Sequence, residues 1–484
     1  SAFLPGAASA AEYWRNIIGK VDAIVEIPPD RWDVSDYFDA DRNARDKIYS
    51  RWGGFMPDVR FDPAAFGMPP NSVPSIDPLQ LVALAAIKDL MEDAGLTGRG
   101  DGERTSVILG FSGGLGELGI KYATRTELAR AGGAGAEALE FLPEWSEDSF
   151  AGLLPNVAAG RAANRFDFGG VNFTVDAACA SSLAAIYQAV LELKSGRSDV
   201  VVAGGVDTVQ GPFGFTCFSK AQALSPTGRS RTFDANSDGI AISEGVAMVA
   251  LKRLADAERD GDRIYAVIKG AGGSSDGKAK GLMAPRPHGQ KRAIRRAYGE
   301  AGFSAASVRL FGAHGTGTVA GDRAELESLT DILKEEGAAP RSAVVGSVKT
   351  MIGHTKSSAG IAGLIKAVLA LHHKVLPPHM GVETPNPALV DDMSPLYLSQ
   401  QLRPWARPAA NPRRAGVSAF GFGGTNFHIA LEEYTDDYRG TNDGPDGEWP
   451  VELFVWRAAD RPALAAAMRD TLNALASGAQ KPAV

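Results

Sequence analysis

The chain owns only two cysteines, and one of them, Cys179, stands in "VDAACASSLAAIYQAVLELKSG" (175–196), between alanines and just ahead of two serines. Leu183, Ile186, Tyr187, Val190 and Leu193 repeat at the spacing of a buried helix face, with Lys194 in the last turn and Gly196 as the C-terminal cap. Cys179 therefore falls at a helix N-terminus, after the strand-like "FTVDA". Unpaired N–H groups and the positive end of the helix dipole favour a thiolate there. Ala177, Ala178, Ala180, Ser181 and Ser182 leave room for a substrate. The competing reading is a buried thiol acting as a small hydrophobe.

Two histidine segments bear on that choice. "FGAHGTGTVAGDRAELESL" (311–329) sets His314 at a strand end, before alternating Gly and Thr. "GSVKTMIGHTKSSAG" (346–360) sets Lys349 and His354 in another strand-to-helix junction of small residues. Joined to a helix-mouth cysteine, two such histidines make a thiol nucleophile served by imidazoles. "HHKVLPPH" (372–379) has no carboxylate or cysteine to complete a metal site and reads as a helix end and proline turn. Cys217 has no partner motif and reads as structural.

The elements that must hold these residues alternate. Strand-like runs lie at 105–111, 199–206, 245–254, 263–272, 308–315, 343–348 and 426–434. Helical patterns lie at 80–93, 183–195, 288–301 and 358–373. This predicts an α/β fold whose sheets are covered on both faces. After a loop-like stretch, 435–450, come a strand-like 451–456 and a helix running from an Asp460 cap to Gly478. That pair cannot form a core alone and is expected to pack on the main domain or a neighbour. Both termini read as the cut edges of a longer polypeptide.

A length of 484 residues suits one large domain or two intimately packed halves. The net charge of -7 argues against nucleic acid as a partner. Two cysteines so far apart make no disulfide scaffold, and the expected compartment is cytoplasmic. The most apolar run, 359–371, is too short to span a membrane and is broken by Lys366. Lys291, Arg292, Arg295 and Arg296 in "HGQKRAIRRAY" read as a solvated helix face ahead of a dock for an acidic carrier protein.

Together with "PTGRSRTFDANSDGIAISEGVAMVALKRL" (226–254) and "SAFGFGGTNFHIALEE" (418–433), the three site motifs resemble, in order, the β-ketoacyl synthase (ketosynthase) family over residues 1–434. The early segment resembles ketosynthases of type I polyketide synthases, and 435–484 resembles their linker to a following acyltransferase domain. "CFSKAQALSP" and "GGSSDGKAKGLMAPRPHGQ" are most similar to the iterative branch that makes polyunsaturated fatty acids and enediyne polyenes.

The resemblance implies a thiolase-like α/β fold, two similar halves in five α-β-α-β-α layers, and a homodimer. The half at about 1–254 would carry Cys179, and the half at about 255–434 would carry His314 and His354. The implied reaction is a decarboxylative Claisen condensation. An acyl chain passes from the phosphopantetheine arm of an acyl carrier protein to Cys179, and a malonyl unit on a carrier supplies the attacking enolate. On matching positions, His314 and His354 donate from Nε2 to the malonyl thioester carbonyl. The N–H groups of Cys179 and Phe422 form the oxyanion hole, and Phe422 is also the gate. Lys349 and Glu325 form an ionic pair that holds the histidines, and the hydroxyls of Thr316 and Thr318 bind the phosphopantetheine. No cofactor of its own and no metal is implied. Ser243 replaces an expected glycine, a change that should leave the chemistry alone. A thiolase would normally carry a second cysteine in place of one histidine. A non-catalytic chain-length-factor-like or gatekeeping partner would have lost Cys179 or a histidine.

Overall fold

Period-two alternation in the strands sorts the apolar residues of the two main sheets onto opposite faces in the computed structural model, which describes residues 1–98, 101–131, 136–278, 281, 284–408, 410–435 and 454–477. The first main sheet holds β1 (Ala2–Phe3), β2 (Thr105–Gly110), β3 (Asn172–Val175), β4 (Val200–Asp207) and β5 (Gly245–Lys252), in the order β1-β5-β4-β2-β3. The second holds β6 (Val267–Ser275), β7 (Leu310–Gly312), β8 (Ala343–Gly346), β9 (Leu396–Tyr397), β10 (Arg414–Gly421) and β11 (Thr425–Glu432), in the order β9-β8-β7-β10-β11-β6.

On one face of the first sheet, Val107, Leu109 and Val202 pack with α1 (Pro78–Asp93) and α2 (Asn156–Phe166) through Leu84, Ile87, Ala159 and Ala162. The alternate residues Ile108, Val201 and Ala203 face inward. They meet Leu183 and Ile186 of α3 (Ser181–Lys194). In the second sheet, Phe311 and Val345 face outward onto α4 (Pro287–Ala301) and α5 (Val319–Glu335). Leu310, Val344 and Val417 face inward onto Ile361 and Ile365 of α6 (Ala359–His372). The result is α-β-α-β-α, with α3 and α6 as the shared middle layer. All eight residues of β4 are buried, as a sheet covered on both faces requires.

The middle helices touch closely. The Ile361 N–H donates to Ser182 Oγ at 3.0 Å, and a Cβ on Gly360 would sit 2.6 Å from Leu183 Cγ. Gly360 therefore has to lack a side chain for α3 and α6 to meet.

Several elements differ from expectation. The run at 263–272 forms its strand later, at Val267–Ser275. β10 was not anticipated as a strand, because Ser418, Ala419 and Gly421 weaken its apolar signal. Of the strand-like 451–456, only 454–456 are described, and they form no strand; 436–450 and Gly478 lie outside the described residues. The tail helix α7 (Arg461–Ala476) is present and capped by Asp460 Oδ1, which accepts from the Ala463 N–H at 2.8 Å.

Candidate active site

Cys179 lies in a single 3-10 turn, Ala178–Ala180, that runs directly into α3. Ala178 has φ 49, a left-handed conformation that costs energy for a residue with a Cβ. Local bonds compel it. Asp176 Oδ1 accepts from the Ala178 N–H at 2.8 Å, and Ser181 Oγ accepts from the Ala177 N–H at 2.9 Å and donates to the Ala178 carbonyl at 2.6 Å.

The other half supplies the opposite wall. Gly421 ends β10 against this loop so tightly that a Cβ there would lie 2.2 Å from the Ala177 carbonyl oxygen. The chain then turns through Phe422, Gly423 and Gly424 into β11, with φ 102 and 81 at the two glycines. The Phe422 N–H points at Cys179 Sγ, while its ring is 56% exposed. An exposed ring flanked by glycines has the freedom a gate needs.

Burial pushes the Cys179 thiol above its ordinary value, against the Lys349 ammonium and the Phe422 N–H, which pull it down. The helix mouth therefore does not by itself give a resting thiolate, contrary to the expectation from sequence. The thiol is the ground state, and its proton must leave during acylation.

His314 and His354 face each other with ring centroids 5.6 Å apart and planes at 82°. The Lys356 N–H donates to His354 Nδ1 at 3.0 Å, so the neutral ring carries its proton on Nε2. Phe420 packs 5.7 Å from the His314 ring. Burial, then the Lys349 ammonium, holds both imidazoles well below their ordinary range, so both are neutral at pH 7. The charge of Lys349 reaches Cys179, His314 and His354 alike.

Lys349 and Glu325 do not form the direct ion pair expected of them; among the described residues they meet through the main chain. The two Glu325 oxygens accept from the N–H groups of His314 and Gly315, each at 2.7 Å. Lys349 Nζ donates to the His314 carbonyl. The two side chains thus clamp the His314 peptide from both sides. Burial raises the Glu325 carboxyl to about 7 and lowers the Lys349 ammonium to about 8.

Thr316 and Thr318 sit half-buried with their Oγ1 atoms 2.9 Å apart. Thr318 also caps α5, accepting from the Gly321 N–H at 3.2 Å. One of the two hydroxyl protons joins the pair, and the other is left for a ligand.

Sequence reasoning missed the residues behind this surface. Asp322 accepts from the N–H groups of Thr316 and Gly317 at 3.1 Å and of Phe233 at 2.7 Å, fixing the glycine-rich turn. Ser347 donates to the Gly315 carbonyl at 3.0 Å. The Ser347 N–H donates to His379 Nδ1 at 3.3 Å, which gives that histidine a packing role. The signal was a run of polar residues inside apolar surroundings, which chain spacing alone does not distinguish from a solvated turn.

Cys217 is a free, exposed thiol on the Pro212–Lys220 helix. In the basic run, Lys291 pairs with Asp331 at 2.6 Å and Arg295 with Glu335 at 2.7 Å, a charge-laced face between α4 and α5. Among the described residues there is no cluster suited to a metal ion, and no helix is long and apolar enough to cross a membrane.

The sequence comparisons divide the chain in the same place as the two sheets. Residues 1–257 match the beta-ketoacyl synthase N-terminal domain, and 265–383 match the C-terminal domain. The chain belongs to the β-ketoacyl synthase family. This ketosynthase is 41% identical over 454 residues to a polyunsaturated fatty acid synthase polypeptide of Thraustochytrium sp., covering 90% of the chain but 16% of that relative. It is 36% identical over 448 residues to polyketide synthase PksN of Bacillus subtilis, of which it spans 8%. The ketosynthase from module 6 of the bacillaene synthase of Bacillus subtilis matches it with a TM-score of 0.80 and 34% identity, covering 90% of this chain and 71% of that one. The fold is thus the thiolase-like fold of ketosynthases.

Proposed function

We propose that this ketosynthase is an active condensing acyltransferase, with Cys179 as nucleophile and His314 and His354 as the catalytic hydrogen-bond donors. The observation that carries this reading is the meeting of a thiol, facing the Phe422 N–H, with two neutral imidazoles held around one buried ammonium.

In the first half-reaction, Cys179 Sγ attacks the acyl thioester carbonyl. The Phe422 N–H, with that of Cys179, meets the developing oxyanion, and the carrier leaves as a thiol with the proton that Cys179 gives up. In the second, the C–C bond to the malonyl carboxylate breaks, carbon dioxide departs, and the electron pair moves onto the thioester oxygen. His354 Nε2–H and His314 stabilise that enolate by hydrogen bonding. The enolate carbon then bonds to the acyl carbonyl carbon and expels the Cys179 thiolate, which takes a proton from water to restore the resting thiol, leaving a β-ketoacyl thioester on the carrier. Neutral donors suit this chemistry, because a fixed cation would also stabilise the starting carboxylate. Lys349 and Glu325 are positioning residues for the His314 peptide.

An acyl carrier protein is the partner, and its phosphopantetheine arm is received by the free hydroxyl of Thr316 and Thr318. Residues 1–254 and 255–434 are the two halves of the domain, with 435–484 a linker toward an acyltransferase domain. Two unpaired cysteines fit a cytoplasmic setting. The 41% identity to a polyunsaturated fatty acid synthase supports the polyunsaturated fatty acid side of the resemblance over the enediyne side.

The test is product analysis after mixing acyl-loaded and malonyl-loaded carrier protein with the enzyme. The β-ketoacyl product is expected with the native chain. With His354→Gln, the acyl-Cys179 adduct should persist while product formation falls by at least a hundredfold. Undiminished product from both His314→Gln and His354→Gln would defeat the assignment.

A further inference from the structure

Each middle helix is entered through a 3-10 turn whose first residue is left-handed, Ala178 at φ 49 and Lys356 at φ 47. The Ala178 turn is held by its near neighbours in the chain. Lys356 is held from the other half of the molecule. Its Nζ donates to Asp207 Oδ1 at 3.1 Å, to Gln210 Oε1 at 3.1 Å and to the Ser243 carbonyl at 2.5 Å. Three acceptors use all three ammonium hydrogens, so none is left for a substrate. The pair is deeply buried, with side-chain exposures of 10% for Lys356 and 2% for Asp207. The second Asp207 oxygen accepts from Ser357 Oγ at 3.0 Å, which fixes the next residue as well.

The backbone N–H of this caged residue is the one that donates to His354 Nδ1. His354 is itself tied to the first half, its N–H donating to the Ala241 carbonyl at 2.7 Å and its carbonyl accepting from the Ser243 N–H at 2.9 Å. A neutral imidazole has two tautomers, and only one presents a donor at Nε2. Releasing the Lys356 N–H would admit the other, with an acceptor where the enolate needs a donor.

We propose that Lys356 is a positioning residue: its ammonium, caged by Asp207, Gln210 and Ser243, locks the left-handed turn whose N–H keeps the His354 proton on Nε2. This rests on the donor role proposed above for His354. It also gives the Ser243 segment and the end of β4 a function in the second half-reaction, although both belong to the half that carries Cys179.

The test compares the native chain with Lys356→Met/Asp207→Asn, which removes both charges together and leaves no orphaned carboxylate. Lys356→Gly/Asp207→Asn is the control, because glycine adopts the left-handed turn without a cage. Three readouts are taken: the nitrogen-15 spectrum of labelled histidines, with the His354 signals assigned through His354→Gln; acylation of Cys179 by an acyl-N-acetylcysteamine; and decarboxylation of malonyl-N-acetylcysteamine. In the native chain, His354 is expected to carry its proton on Nε2 alone. The methionine variant should show mixed tautomers, acylation within twofold of native and decarboxylation reduced at least tenfold, with most of that loss recovered in the glycine variant. A native tautomer and native decarboxylation in the methionine variant would overturn the proposal, as would an equal loss of acylation and decarboxylation. A native chain that neither acylates nor decarboxylates would instead refute the functional reading, and the tautomer signal would still decide the role of Lys356.

Discussion

At the scale of single residues, the account turns on protonation states. His314 and His354 are held neutral by burial and by Lys349, so neither should titrate where a free imidazole does. A group whose pKa is lowered gains its proton only at more acid pH. In Glu325→Gln, which removes the one carboxyl of the clamp that is raised to about 7, decarboxylation of a malonyl thioester is therefore predicted to stay flat as pH falls through about 6.5, the ordinary histidine value. An acid limb centred there would show that an exposed imidazole controls the step. The residue types at this site were legible in the sequence, because Cys179, His314 and His354 stand in turns of small residues at strand-to-helix junctions. Their state was not. The helix mouth suggested a thiolate, yet burial raises the thiol, and only a three-dimensional surrounding can reveal that. The same holds for Lys349 and Glu325, whose positions were recognised but whose common partner, the His314 peptide, was not.

At the scale of elements, the catalytic geometry depends on β10 reaching the Cys179 loop. Gly421 is the contact, with no space for a Cβ before the Ala177 carbonyl. Gly421→Ala is predicted to push the Phe422 N–H away from Sγ and to slow Cys179 acylation at least tenfold. The overpacking should destabilise the fold by about 1–3 kcal/mol, read as a lowered melting temperature. Native acylation in a stable variant would show that the Phe422 N–H is not needed. β10 is also the element the sequence concealed most. Strands β2, β4 and β8 announce themselves as continuous apolar runs, whereas β10 spends its last residues on the small side chains that let it approach the loop. The helices were clearer, since α3 and α6 carry continuous apolar faces that the middle layer buries from both sides.

At the scale of the whole molecule, the first sheet ends in an unfinished edge. Among the described residues β3 pairs with β2 on one side only, and Val171 beside it is 45% exposed. A free edge directly before the catalytic turn is a ready site for a second copy, because its unpaired N–H and C=O groups seek partners. Sedimentation is predicted to give twice the mass of the chain at micromolar concentration, and a monomer there would contradict the homodimer. The layered architecture followed from strand and helix alternation only as far as α/β; the sharing of α3 and α6 between two sheets is a long-range arrangement that no local pattern encodes. The central claim, that Cys179 is the nucleophile of an active ketosynthase, is tested most directly by intact mass after exposure to a panel of acyl thioesters, carrier-bound ones included. The account predicts one acyl adduct per chain, absent in Cys179→Ala. An adduct that survives in Cys179→Ala, or no adduct from any donor, would contradict it.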